Sequence, residues 1–170
     1  MWVLGFRDVF IGIVATFTMD VLTALTIKLR SIAPLSPRLI GRWFASAARG
    51  KALHADIGQV APVRHELVIA VPVHYLIGIT LALAYLFTIS ALGLSPSNPI
   101  VALGFGLWTN LLPWLLMFPA MGYGWFGAQG PPGTRLFASS LVTHCFYGVG
   151  LWVGACRSFL TSTPAKIYGT

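Results

Sequence analysis

The stretch ELVIAVPVHYLIGITLALAYLFTISAL, residues 66–92, decides the fold. After Glu66 it carries no Asp, Glu, Lys or Arg, and His74 is its one basic side chain. As a helix it would rise about 40 Å, more than the ~30 Å thickness of a bilayer's hydrocarbon core. Its apolar residues run without strict alternation, which argues against a membrane-barrel strand. Residues 66–92 therefore read as a transmembrane helix.

Three more runs, residues 6–28, 100–121 and 135–160, read the same way. Apolar residues make up 56% of the 170-residue chain and charged residues 9%, with mean hydropathy +0.80. An ordinary soluble domain is ~25% charged. The fold class is all-α: one integral-membrane domain, a transmembrane four-helix bundle with one short interfacial amphipathic helix. Run 6–28 lacks a basic n-region and a small-residue cleavage site, and Asp20 interrupts it. It reads as a retained span rather than a signal peptide.

The net charge of +7 is unevenly placed. Lys28, Arg30, Arg38, Arg42, Arg49, Lys51, Arg64 and Arg135 fall in or beside the two loops on one side, and Arg7, Arg157 and Lys166 on the other. The positive-inside rule puts the first group in the cytoplasm and both termini outside. Anionic lipid headgroups account for the basic character, so nucleic acid is not an expected partner.

Loop 29–65 contains a helix signal: Ser36 as N-cap, Pro37 at the first helical position and Gly50 as the stop. Leu39, Ile40, Trp43, Phe44 and Ala47 share one face, and Arg38, Arg42 and Arg49 another. The expected contacts of Arg38, Arg42, Trp43 and Arg49 are with the membrane surface; a docking surface for a partner protein is the alternative. Pro72 should bend the second span near His74, and Pro113 and Pro119 interrupt the third. Gly148, Gly150 and Gly154 offer small surfaces for close helix contact. The Gly/Pro-rich loop 122–133 brings aromatics that could anchor at the interface or cover an opening.

Asp20, His74, Asn110 and His144 lie in four different spans, about 12–17 Å from the cytoplasmic ends at ~1.5 Å per residue. Ionisable groups at that depth face the bundle interior and mark functional sites by default. The layer could hold a proton or small ligand, with Asp orienting a His ring. Asp20, His74 and His144 would also suit a metal ion with one open position. The plainer alternative is a hydrogen-bonded cluster that fixes helix register. The repeat His-x-x-x-Gly, at His74 with Gly78 and at His144 with Gly148, leaves a gap beside each ring that a tetrapyrrole could use; plain helix packing explains it equally. His54, Asp56, His65 and Glu66 form a candidate cytoplasmic entrance to the layer, or simply a solvated surface cluster.

Phosphate loop, dinucleotide fingerprint, HExxH and GxSxG are all absent from the sequence. Asp20 lies at a different depth from Asp56 and Glu66, so a paired-carboxylate site is excluded. Cys145 and Cys156 sit on one helix, about 16 Å apart, too far for a disulfide.

These residues resemble a domain-of-unknown-function family of small four-span bacterial inner-membrane proteins. The matching signals are Ala15, Thr16, Met19 and Asp20 in the first span, then Arg42, Trp43, Gly50, His54 and Ile57 in the loop. Ala61, Pro62, Val63, Glu66, His74, Tyr75 and Gly78 follow. Thr109, Pro113, Trp114, Pro119, Ala120, Met121, Gly122 and Gly124 carry it through the third span. Arg135, Ser140, Leu141, His144, Gly148, Gly150 and Leu151 complete it. The resemblance implies a bacterial inner-membrane location and supplies no activity or cofactor.

The expectation is a non-catalytic module that binds a small ligand, proton or metal ion in the Asp/His layer, as a subunit of a larger membrane complex or alone. The alternatives are a small membrane enzyme or tetrapyrrole-binding redox protein using the same histidines, and a purely structural accessory subunit.

Overall fold

The computed structural model describes residues 5–131 and 133–160. Its helices are α1 (Phe6–Lys28), α2 (Pro37–Ala47), α3 (Glu66–Ala91), α4 (Pro99–Trp108), α5 (Phe118–Ala120) and α6 (Thr134–Leu160). Four segments are long and apolar enough to cross a membrane: Phe6–Lys28, Glu66–Ala91, Pro99–Ala120 and Thr134–Ser158. Large apolar side chains such as Phe17, Leu76, Phe87 and Leu116 point outward. In water such a surface would be costly; in hydrocarbon it is the solvated face.

The helix ends follow local chemistry. Asp8 Oδ2 accepts the Gly5 N–H at 3.0 Å at the start of α1, and Lys28 lies in its last turn. Asn98 Oδ1 accepts the N–H groups of Ile100 and Val101 at the start of α4, where Pro99 has no N–H that needs an acceptor. α3 runs on through Pro72, which removes the N–H that would otherwise reach the Val68 carbonyl.

The third span is not one helix. α4 ends at Trp108, a turn follows, and a π-helical turn covers Pro113–Met117 before α5. The cause is local. Pro113 and Pro119 donate no N–H, and the N–H groups of Asn110 and Leu112 reach back three residues, to Leu107 and Thr109. The Thr109 hydroxyl also bonds the Gly106 carbonyl at 2.6 Å, which competes with the helical ladder.

α1 packs between α3 and α6, and α4 packs on α6. Glycine makes these approaches possible. A Cβ on Gly150 would stand 2.6 Å from Ala15 Cα, and one on Gly106 would stand 2.7 Å from Gly148 Cα. Two apolar clusters result. Ile11, Ala15, Ala82, Tyr85, Leu86, Ile89, Ala102, Tyr147 and Leu151 fill the half near the 93–98 turn. Ile57, Phe118, Met121, Tyr123 and Leu136 fill the half near α2. The polar layer lies between them.

α2 corrects one expectation. It does not turn all its arginines outward: Arg42 is buried, with 8% exposure, while Arg38 and Arg49 stay exposed. Gly41 lies so close to α3 that a Cβ there would strike the Glu66 carbonyl and meet Ala70. The Trp43 indole N–H donates to the Ala52 carbonyl at 2.7 Å, and the ring packs against the second cluster. α2 is thus docked on α3, with Arg42 held by partners within the protein.

The glycine contacts predict a contrast between neighbours on one helix. Gly106→Leu should destabilise the α4–α6 packing by about 1–3 kcal/mol. Gly104, with open space around its Cβ position, should accept Ala with no loss or a gain of up to about 1 kcal/mol. Unfolding of the purified protein in detergent reads both.

Candidate functional site

Asp20 and His74 meet. α1 and α3 bring His74 Nε2 to 3.0 Å from Asp20 Oδ1, and the side chains keep 44% and 33% exposure, Asp20 and His74 respectively. Each lies about 12 Å from the end of its helix nearer the α2–α3 loop, at ~1.5 Å per residue. Thr16, one turn before Asp20 on α1, bonds the Gly12 carbonyl and occupies the space beside Gly78. The Tyr147 hydroxyl donates to the Gly78 carbonyl at 2.6 Å, tying α6 to α3 one turn from His74.

His144 and Asn110 belong to the other half of the layer. Thr109 Oγ1 lies 2.8 Å from His144 Nδ1. Thr109 Oγ1 thus sits between the Gly106 carbonyl, at 2.6 Å, and the His144 ring, whose donor or acceptor role follows from its tautomer. Asn110 is fully buried; its Oδ1 accepts from Ser140 Oγ at 2.6 Å and its Nδ2 donates to the Leu107 carbonyl. Asn110 is therefore a joint between the α4 end and α6.

The layer thus consists of three separate pairs, Asp20–His74, Thr109–His144 and Asn110–Ser140, not one four-membered cluster. This corrects the three-ligand metal arrangement of Asp20, His74 and His144: among the described residues no group of three or more His, Cys, Asp or Glu is placed to hold a metal ion. The spaces beside the histidines also differ from expectation. Thr16 fills the one at Gly78, and the Ala102 and Leu103 backbone fills the one at Gly148. Neighbouring helices, not a flat ring, use these gaps.

The four loop residues separate as well. Glu66 is 7% exposed and accepts from Arg42 Nε at 2.6 Å and from the Val63 N–H at 3.0 Å. The rest of the Arg42 guanidinium donates to the Val60 carbonyl at 2.7 Å, with longer contacts to Ile57 and Gly58. His65 enters α3 in the left-handed region, φ 65°, and stays exposed. Asp56 accepts the Gly58 N–H at 2.7 Å and shapes the 3-10 turn Ile57–Gln59. The His54 ring lies 3.1 Å from the Lys51 carbonyl, and its backbone N–H donates to Ala120. Glu66 is thus held in a buried ion pair and Asp56 in a local turn.

Sequence reasoning missed Thr109, Ser140 and Tyr147 as partners of the layer. Ser140 was within reach: it lies one turn before His144 on the same helix face. Tyr123 was also unmarked. It is 1% exposed, and its hydroxyl has no hydrogen-bond partner among the described residues. Burial raises its pKa above the ordinary tyrosine value, and the charge of Asp56 acts in the same direction.

The Arg42–Glu66 pair carries its own prediction. Arg42→Ala or Glu66→Ala alone should cost about 3–5 kcal/mol, because each leaves a buried charge unpaired. Arg42→Met with Glu66→Leu should recover only part of that, since the Val60 carbonyl still loses its donor. A double-mutant cycle of unfolding free energies measures the coupling.

The chain belongs to a family of proteins of unknown function, DUF2938, whose model matches residues 9–158. No curated protein and no solved structure matches it.

Proposed function

We propose that this DUF2938 member is a non-catalytic multipass membrane module that holds a proton or a small cationic ligand at the Asp20–His74 pair. One observation carries the reading: the pair is hydrogen-bonded at mid-membrane depth and still partly open on one side. An ionisable pair in hydrocarbon is costly unless it faces protein or water, and such pairs mark ion and proton pathways. His74 Nε2 is committed to Asp20, so Nδ1 is its exchangeable position. With the carboxylate ionised and the ring neutral the pair carries one negative charge; taking up a proton makes it neutral overall. A cationic ligand would be attracted to the first state and released from the second.

The open side also supports a second reading, in which a helix of a partner membrane protein covers the pair and the chain is an accessory subunit. The Lys/Arg distribution supports a bacterial inner-membrane orientation with the α2 end cytoplasmic and both termini external.

A hydrophobic carbodiimide tests the pair, since it modifies protonated carboxyls in apolar surroundings. Asp20 should be labelled in membranes, and His74→Ala should change the rate about fivefold or more through loss of the shared proton. Equal labelling of wild type and His74→Ala would show that the two groups do not act together. A membrane protein that co-purifies with wild type and is lost in Asp20→Asn would favour the accessory-subunit reading instead. For orientation, a Cys at Arg49 in a Cys145→Ala/Cys156→Ala background should react with an impermeant maleimide only after the inner membrane is opened; reaction in intact cells would reverse the topology.

A further inference from the structure

The end of α1 and the start of α6 border a half-open cavity of about 340 Å³. α1 closes with the Ser31 N–H bonded to the Thr26 carbonyl and the Arg30 N–H bonded to Ile27. This is a Schellman ending in which Arg30, at φ 54°, takes the left-handed position usually given to glycine. The Ala33 N–H then donates to Ser139 Oγ at 2.9 Å and holds the segment against α6. The lining includes Arg30, Ile32, Arg135, Ala138, Ser139 and Val142. On α6 these fall at i, i+3, i+4 and i+7, so one face descends about 10 Å from a guanidinium to an apolar wall.

The charge balance of this cavity is one-sided. The chain has only four acidic residues. Asp8 binds the Gly5 N–H, Asp20 meets His74, Asp56 shapes its 3-10 turn and Glu66 pairs with Arg42. None of them lines the cavity. Among the described residues neither Arg30 nor Arg135 takes part in an ion pair. Ser139 is 1% exposed and accepts from Ala33, and its own hydroxyl proton donates to no described residue. Arg30, Arg135 and Ser139 therefore line one cavity to which no described acidic residue contributes. Guanidinium forks match phosphate oxygens in geometry and charge.

We propose that this cavity binds the phosphate headgroup of an anionic phospholipid. Arg30 and Arg135 hold the phosphate, Ser139 adds a donor, and Ile32, Ala138 and Val142 line the start of the acyl chains. A soluble phosphate ester shares the headgroup chemistry but gains nothing from an apolar wall that continues toward the hydrocarbon. The site is separate from the Asp20–His74 pair and stands or falls independently of it.

Native mass spectrometry of the full chain released from detergent tests this, with phosphatidylglycerol, phosphatidylcholine of the same chains, and glycerol phosphate as probes. Wild type should retain one phosphatidylglycerol about tenfold more strongly than phosphatidylcholine. Arg30→Ala/Arg135→Ala should lose that preference. Val142→Trp should lose the lipid with both arginines intact, and Lys28→Ala, a cation outside the lining, should keep it. Should the double arginine variant fail to fold, Val142→Trp and Lys28→Ala decide the question between them. Equal retention of the two lipids, retention unaffected by Val142→Trp, or a loss in Lys28→Ala as large as in the arginine variant would overturn the site. Displacement of the lipid by glycerol phosphate at equal concentration would overturn the lipid assignment.

Discussion

In a hydrocarbon layer there is no water to satisfy a stray donor or charge, so each polar group must find its partner within the protein. The architecture follows from that constraint. At the α2 end, Arg42 and Glu66 come from opposite ends of a long loop and join in a buried ion pair that also collects the Val60 carbonyl and the Val63 N–H. That joint seats α2 on α3 and fixes where α3 begins. From there the position of His74 along α3, and hence its meeting with Asp20, is set by helical rise alone.

The broken third span obeys the same constraint differently. Prolines free backbone carbonyls, and the chain responds with a turn and a widened π-helical segment. The irregularity places Thr109 and Asn110 where they can bond His144 and Ser140 across to α6. Glycines on α1, α3, α4 and α6 let the backbones approach closely enough for these short side chains to reach. Polar joints and small residues therefore act together: the first choose the register and the second permit the distance. Against these joints, the part-exposed Asp20–His74 pair stands apart, as do Arg30 and Arg135, which enter no ion pair among the described residues.

Much of this was legible in the residues. Four long apolar runs with few charges leave no other fold for residues 66–92 and their counterparts. The equal depth of Asp20, His74, Asn110 and His144 follows from counting residues along helices. The weak point was azimuth. Counting gives depth, but with apolar residues on all sides of a span nothing marks which way a histidine points. Arg42 was misplaced for a related reason: its spacing from Arg38 and Arg49 suits a solvated face, and only the arrival of Glu66 from elsewhere in the chain makes burial favourable.

The sequence by itself determined a four-span helical membrane protein, its basic loops and a polar layer at one level, because length and hydropathy are one-dimensional quantities. Only the tertiary structure decided that the layer divides into Asp20–His74, Thr109–His144 and Asn110–Ser140 pairs, and that Arg42 lies inside while Arg30 and Arg135 line a shared cavity. Those outcomes depend on helix rotation and on which residues distant along the chain become neighbours, and packing alone sets both.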